Sequence, residues 1–158
     1  MKIRISITLA VALVLACAVP GWCASDGASG FNTLKGLAGQ WEGKSGTITW
    51  KLVSGGSAMM EEMPHESMVS MYHIDDNRLL MTHYCAAQNQ PRMAAEVSAD
   101  GKTITFNFID GTNLTGTHKA HMHNMVLTIV DQNHITEKWT FLADGKEQTE
   151  TFQMTRKQ

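Results

Sequence analysis

The sequence predicts an all-β protein: a single antiparallel up-and-down barrel of about eight to ten strands, with a short helical turn ahead of it. Three observations carry this. Apolar and polar residues alternate with period two through most of the chain. Turn-forming pairs interrupt the alternation at short intervals, and no long apolar stripe at helical spacing lies between them. The 158 residues suffice for one domain and are too few for two. Closing such a meander on itself removes the exposed strand edges that would otherwise invite aggregation.

The elements follow in chain order. Lys2 and Arg4 open the chain, and an apolar run from Ile5 to Val19 follows. Pro20-Gly21 ends it, and the small residues Cys23-Ala24-Ser25 come next. This reads as a secretory signal peptide over residues 1–24, so the mature chain is expected to be periplasmic or secreted. The run is shorter than the roughly 20 residues of a membrane span, so no transmembrane span is expected in the mature chain. A rival reading takes Val14-Leu15-Ala16-Cys17 as a lipoprotein signal with Cys17 lipidated. Residues 25–33 are small and polar and are expected to be a flexible tail. The barrel domain is expected over 34–158, with a helical turn at Asn32 to Leu37.

Ile48, Trp50 and Leu52 alternate with Thr47, Thr49 and Lys51. Ile104, Phe106 and Phe108 alternate with Thr103, Thr105 and Asn107. Met125, Leu127 and Ile129 repeat the pattern, then Trp139 and Phe141, then Phe152 and Met154. Gly55-Gly56, Asp75-Asp76-Asn77, Asp100-Gly101, Asp110-Gly111, Gln132-Asn133 and Asp144-Gly145 mark turns. Only Cys85 of the three cysteines lies beyond the leader, so apolar burial must hold the fold without an internal disulfide. Lys plus Arg is 13 against 15 Asp plus Glu. That balance offers no basic surface for phosphates, and nucleic acid is excluded as the main partner.

Two segments carry a resemblance. Leu37-Ala38-Gly39-Gln40-Trp41-Glu42-Gly43 resembles the Gly-x-Trp opening of calycin-type barrels. The resemblance implies that Trp41 closes one barrel end and that Arg156, on the last strand, covers it through a cation–π contact. Thr82-His83-Tyr84-Cys85, three residues, then Asn89-Gln90-Pro91-Arg92-Met93 resembles a signature of an uncharacterised family of secreted bacterial lipocalin-like proteins. That family offers no activity to carry over.

The same segment supplies the candidate site. His83 and Cys85 share one face of a strand, Thr82 and Tyr84 the other. Met71 and His73 lie on the preceding strand. A three-residue turn at Asp75-Asp76-Asn77 sets Met71, His73 and His83 on one face, whereas a two-residue turn separates the histidines. The ligand-binding candidates are Met71, His73, His83, Tyr84 and Arg92, with Arg92 expected to meet an anionic group. The expected ligand is a small, largely apolar molecule inside the barrel. That role requires an interior cavity above about 100 Å³, against the roughly 300 Å³ at which ligand sites begin. The alternative for the same polar residues is a buried hydrogen-bond network pinning loop to strand.

No nucleophile elbow, phosphate loop or dinucleotide fingerprint is present. Cys85 and His83, two apart on a strand, stand too far apart for a nucleophile–base pair, and a buried inert thiol is expected. An enzyme would require His73, His83, Tyr84 and Arg92 to converge. No cofactor is expected apart from a possible metal. His118-x-x-His121-x-His123 sets His121 and His123 on one face, a pattern suited to Zn or Cu, and a solvated turn is the alternative. The stretch Met59 to His73, rich in methionine, suits Cu(I) or, equally, irregular apolar packing.

Overall fold

A computed structural model describes residues 27–116 and 119–158. The expected signal peptide over 1–24, which includes Cys17, and His118 lie outside the described residues. Helix α1 (Gly27–Lys35) precedes ten strands: β1 (Gly39–Gly43), β2 (Gly46–Val53), β3 (Ala58–Met63), β4 (Met68–Asp75), β5 (Arg78–Tyr84), β6 (Gln90–Val97), β7 (Thr103–Thr112), β8 (His121–Ile129), β9 (His134–Ala143) and β10 (Lys146–Arg156). Each strand pairs antiparallel with its sequence neighbours, and β1 pairs with β10 to close the barrel. The all-β up-and-down barrel is therefore the observed architecture.

The helix corrects the expected boundaries. It begins at Gly27, within the stretch expected to be loose, and ends at Lys35. Its small residues permit close packing. A Cβ on Gly27 would sit 2.6 Å from the Asn77 carbonyl oxygen, and one on Gly30 would sit 2.8 Å from Val97 Cγ2. Phe31 and Leu34 are buried on the same helix, so a short amphipathic plug lies across one end of the barrel.

Turns alternate between the two ends. The β2–β3, β4–β5, β6–β7 and β8–β9 turns lie at the end covered by α1. The β1–β2, β3–β4, β5–β6, β7–β8 and β9–β10 connections form the other end, the mouth. Asp144 (φ 50°) and Gly145 (φ 73°) both adopt the left-handed conformation of a tight hairpin, as an Asp-Gly pair does. Asp110-Gly111, expected to turn, instead lies within β7, where Gly111 pairs with Pro91 and a Cβ would sit 2.9 Å from the Gln90 carbonyl oxygen.

At the closed end Trp41 is fully buried. Its indole Nε1–H donates to the Leu37 carbonyl at 2.8 Å. Arg156, its partner across β1 and β10, lies over the indole with its guanidinium carbon 4.2 Å from the ring centroid. The guanidinium also donates to the carbonyls of Gly36 (2.7 Å), Ala38 (2.9 Å) and Gln132 (3.1 Å). The plug and its cover are therefore hydrogen-bonded as well as packed.

The middle of the barrel is filled by aromatic and sulfur side chains. Trp50 stacks on Tyr72 at 5.2 Å, and Tyr72 meets Phe106 edge-on at 5.4 Å. Met59, Met81, Met93 and Met125 are fully buried around them.

Candidate functional site

The inner wall carries an acidic and imidazole cluster that sits between this aromatic layer and the mouth. The register Trp50↔Glu61↔Ser70↔His83 aligns one inward residue from each of β2 to β5. Glu137 and Trp139 face inward from β9. Glu61, Ser70, His83 and Glu137 are all at most 1% exposed. Tyr72 donates its phenol to Glu61 Oε2 at 2.6 Å, and Trp139 Nε1–H donates to Glu137 Oε2 at 3.0 Å.

The remaining carboxyl oxygens, Glu61 Oε1 and Glu137 Oε1, receive no N–H or hydroxyl donor from the described side chains. Burial holds Glu61 well above the ordinary carboxylate range, and the nearby Glu137 charge raises it further. Burial also raises Glu137, against the Trp139 hydrogen bond that lowers it. Burial pushes the Tyr72 phenol up, with Glu61 adding to the effect. The raised pKa favours the protonated form of Glu61, which avoids burying two like charges side by side.

His83 completes the cluster. Its Nδ1 lies 2.9 Å from Ser70 Oγ, and its ring packs against Trp139 at 4.8 Å. Burial lowers its pKa to about 4, so the ring is neutral near pH 7. His83 Nε2 is buried without a hydrogen-bond partner among the described residues.

His83, Glu137 and Trp139 line a pocket of about 60 Å³ at the mouth, together with Met63, Met122 and Phe152. This is smaller than the interior chamber required for a carrier that encloses its ligand, because Trp50, Tyr72 and Phe106 occupy the barrel's middle. A wider depression of about 510 Å³ lies at the other end against Trp41 and Arg156.

Only one of the five candidate ligand residues faces inward. The β4–β5 turn has two residues, with Asp75 opposite Arg78 and Asp76 in the left-handed region (φ 53°). That parity sets Ser70, not Met71, across from His83. Met71 and His73 consequently lie on the outer face, and so does Tyr84, which is 50% exposed. Arg92 lies between inward Pro91 and Met93 and is also external. It donates through Nε to Asp110 Oδ1 at 2.5 Å, and its Nη2 also bonds to this carboxylate. The expected convergence of His73, His83, Tyr84 and Arg92 is thus corrected, and the anion-binding role expected of Arg92 has no place inside the barrel.

The signature's other polar residues join loops. Cys85 N–H donates to the Asn89 carbonyl at 3.1 Å, and Asn89 Nδ2 donates to the Ala120 carbonyl at 2.8 Å. Thr112 donates to Gln90 Oε1 at 2.6 Å. These bonds tie the β5–β6 loop to the chain around β7 and β8. Cys85 is half-buried and its thiol pKa is raised by burial.

The Met59–His73 stretch divides between faces: Met59 and Met63 point inward, whereas Met60, Met71 and His73 do not. Among the described residues, no group of three or more His, Cys, Asp or Glu is placed to hold a metal. No described helix is long and apolar enough to cross a membrane.

Glu61 and Glu137 were not expected from the sequence. A signal exists in the inward alternations Met59-x-Glu61-x-Met63 and Ile135-x-Glu137-x-Trp139. No protein-family model matches the chain, and no curated protein is significantly similar to it.

Proposed function

We propose that this is an exported barrel that binds a small, largely apolar molecule, or the apolar end of a larger one, at its mouth. The carrying observation is that His83 Nε2 and Glu137 Oε1, both buried without a hydrogen-bond partner, belong to residues lining an otherwise mainly apolar pocket. A buried polar atom without a partner costs about 1–3 kcal/mol, which a ligand group that bonds to it recovers. A carboxyl oxygen takes a donor, so the polar group of the ligand is an amine or a hydroxyl. A carboxylate would be set against Glu137, so the anionic group anticipated from Arg92 gives way to a donor. The small volume selects a short molecule or a chain end. Export is supported by the Lys2–Val19 pattern, and the lipocalin-like relationship by the Gly39-x-Trp41 opening beneath Arg156.

Calorimetric titration with 2-methylpropan-1-amine, 2-methylpropan-1-ol and 2-methylpropanoate tests the reading. The amine and alcohol should bind at least about tenfold more tightly than the acid, a difference of about 1.4 kcal/mol. His83→Leu should weaken the amine and the alcohol, and Glu137→Gln should narrow their preference over the acid. Equal binding of all three, or none by any, would refute the assignment.

A further inference from the structure

A second cluster at the mouth is independent of the ligand pocket. On a regular strand, side chains two apart emerge about 6–7 Å from each other. His121 and His123 are closer at their tips: His121 Nε2 lies 3.4 Å from His123 Nδ1. The backbone provides the reason. The β8–β9 register shifts between Met122 and Asn124, so His123 is an extra residue with no opposite on β9. Phe108 packs on both rings, at 4.4 Å from His121 and 5.5 Å from His123. The Lys119 carbonyl lies 2.7 Å from His121 Nδ1 and accepts its proton, which leaves the lone pair on Nε2 facing His123. A carbonyl on the far ring nitrogen is the usual way a metal-ligating imidazole is oriented.

We propose that His121 Nε2 and His123 Nδ1 form a two-imidazole site for a divalent first-row ion with tetrahedral preference, Zn(II) in particular. Two nitrogens each about 2.0–2.1 Å from a tetrahedral ion lie about 3.3–3.4 Å apart. The observed spacing is that bite, and it is long for a direct N–H···N hydrogen bond, which is commonly near 3.0 Å. A bite suited to square-planar Cu(II), with ligands at right angles, would be nearer 2.9 Å. Since no third His, Cys, Asp or Glu among the described residues joins the pair, water or an external ligand fills the other positions.

Zn(II) titration of the purified protein against a chromophoric chelator tests this, with Co(II) as a spectroscopic substitute. One equivalent of Zn(II) should bind, and Co(II) should develop the intense visible absorption of a four-coordinate site. His123→Ala should weaken Zn(II) by about tenfold or more. His121 is more buried, so His121→Ala is read only after its circular dichroism matches the parent. His134→Ala, an exposed histidine outside the pair, should change nothing. Absence of binding at equimolar metal, or an affinity within about twofold of the parent in His123→Ala, would show that the pair is a hydrogen bond and overturn the site.

Discussion

The two ends of the barrel solve opposite problems with similar residues. At the closed end, Trp41 and Arg156 bring an indole N–H and a guanidinium into a packed setting, and these donors find backbone carbonyls. At the mouth, His83 Nε2, Glu61 Oε1 and Glu137 Oε1 are buried without hydrogen-bond partners. Buried polar groups that are fully paired stabilise and rigidify a fold. Those left short of partners cost stability. The paired groups thus gather at one end and the unpaired ones toward the other, and the proposal of recognition at the mouth rests on that difference.

The largest effect should come from the closed end. Trp41→Ala removes a fully buried indole and should cost about 3–5 kcal/mol in urea melts, a large share of a small domain's stability. A near-neutral result would break the comparison from that side.

The mouth should respond differently, and with pH. Glu61 has a folded-state pKa above its unfolded value, so the unfolded chain gives up this proton first as pH rises. Its contribution to stability is complete below the ordinary carboxylate range near 4.5 and declines as pH rises toward the folded value. Glu61→Gln removes this dependence. It should match the parent most nearly near pH 4.5 and gain on it as pH rises toward 7. His83 acts in the other direction. Its folded pKa of about 4 lies below the usual 6.5, so its contribution is lost as pH falls from about 6.5 to about 4. The difference between parent and Glu61→Gln, measured by urea melts from pH 4.5 to 7.5, isolates the glutamate from the histidine. A constant difference would mean that the fold does not raise the Glu61 pKa.

Arg156→Ala should cost about 1–2 kcal/mol, from one cation–π contact and three exposed-side hydrogen bonds to carbonyls. Arg156→Lys should recover only a fraction, because an ammonium cannot span the three carbonyls in one plane while covering the indole. The smallest effects belong to the outer face. Alanine at Met71, His73, Tyr84 or Arg92 should each change stability by about 0.5 kcal/mol or less and leave ligand affinity unaltered.

The strands and most turns were legible because each rests on a local signal, whereas the Trp41–Arg156 closure came from the resemblance of the Gly39-x-Trp41 opening to calycin-type barrels. Period-two alternation marks a strand wherever it falls, and Gly39-x-Trp41 lies beside the strand it begins. Parity was harder. Whether Met71 or Ser70 faces His83 depends on one residue in the Asp75–Asn77 turn, and a single-residue change inverts the whole strand. Arg92 drew attention as a cation beside an informative motif, although its neighbours Pro91 and Met93 occupy the inward positions. The Glu61–Glu137 pair was the least accessible. Each acid lies in a readable inward alternation, but their meeting across β3 and β9 depends on how the barrel closes, which no local pattern encodes. The helix over Gly27–Lys35 was hidden for another reason: small residues that look like linker are what close packing against Asn77 and Val97 demands.

The difference between the ends can be observed directly through their two tryptophans. Trp139 lines the mouth pocket beside His83, and Trp41 closes the far end. In two-dimensional nitrogen–proton spectra, 2-methylpropan-1-amine should shift the Trp139 indole signal and the His83 ring nitrogens in a saturable way, and leave the Trp41 indole in place. Perturbation centred on Trp41, or none at either indole at saturating probe, would contradict the assignment of recognition to the mouth.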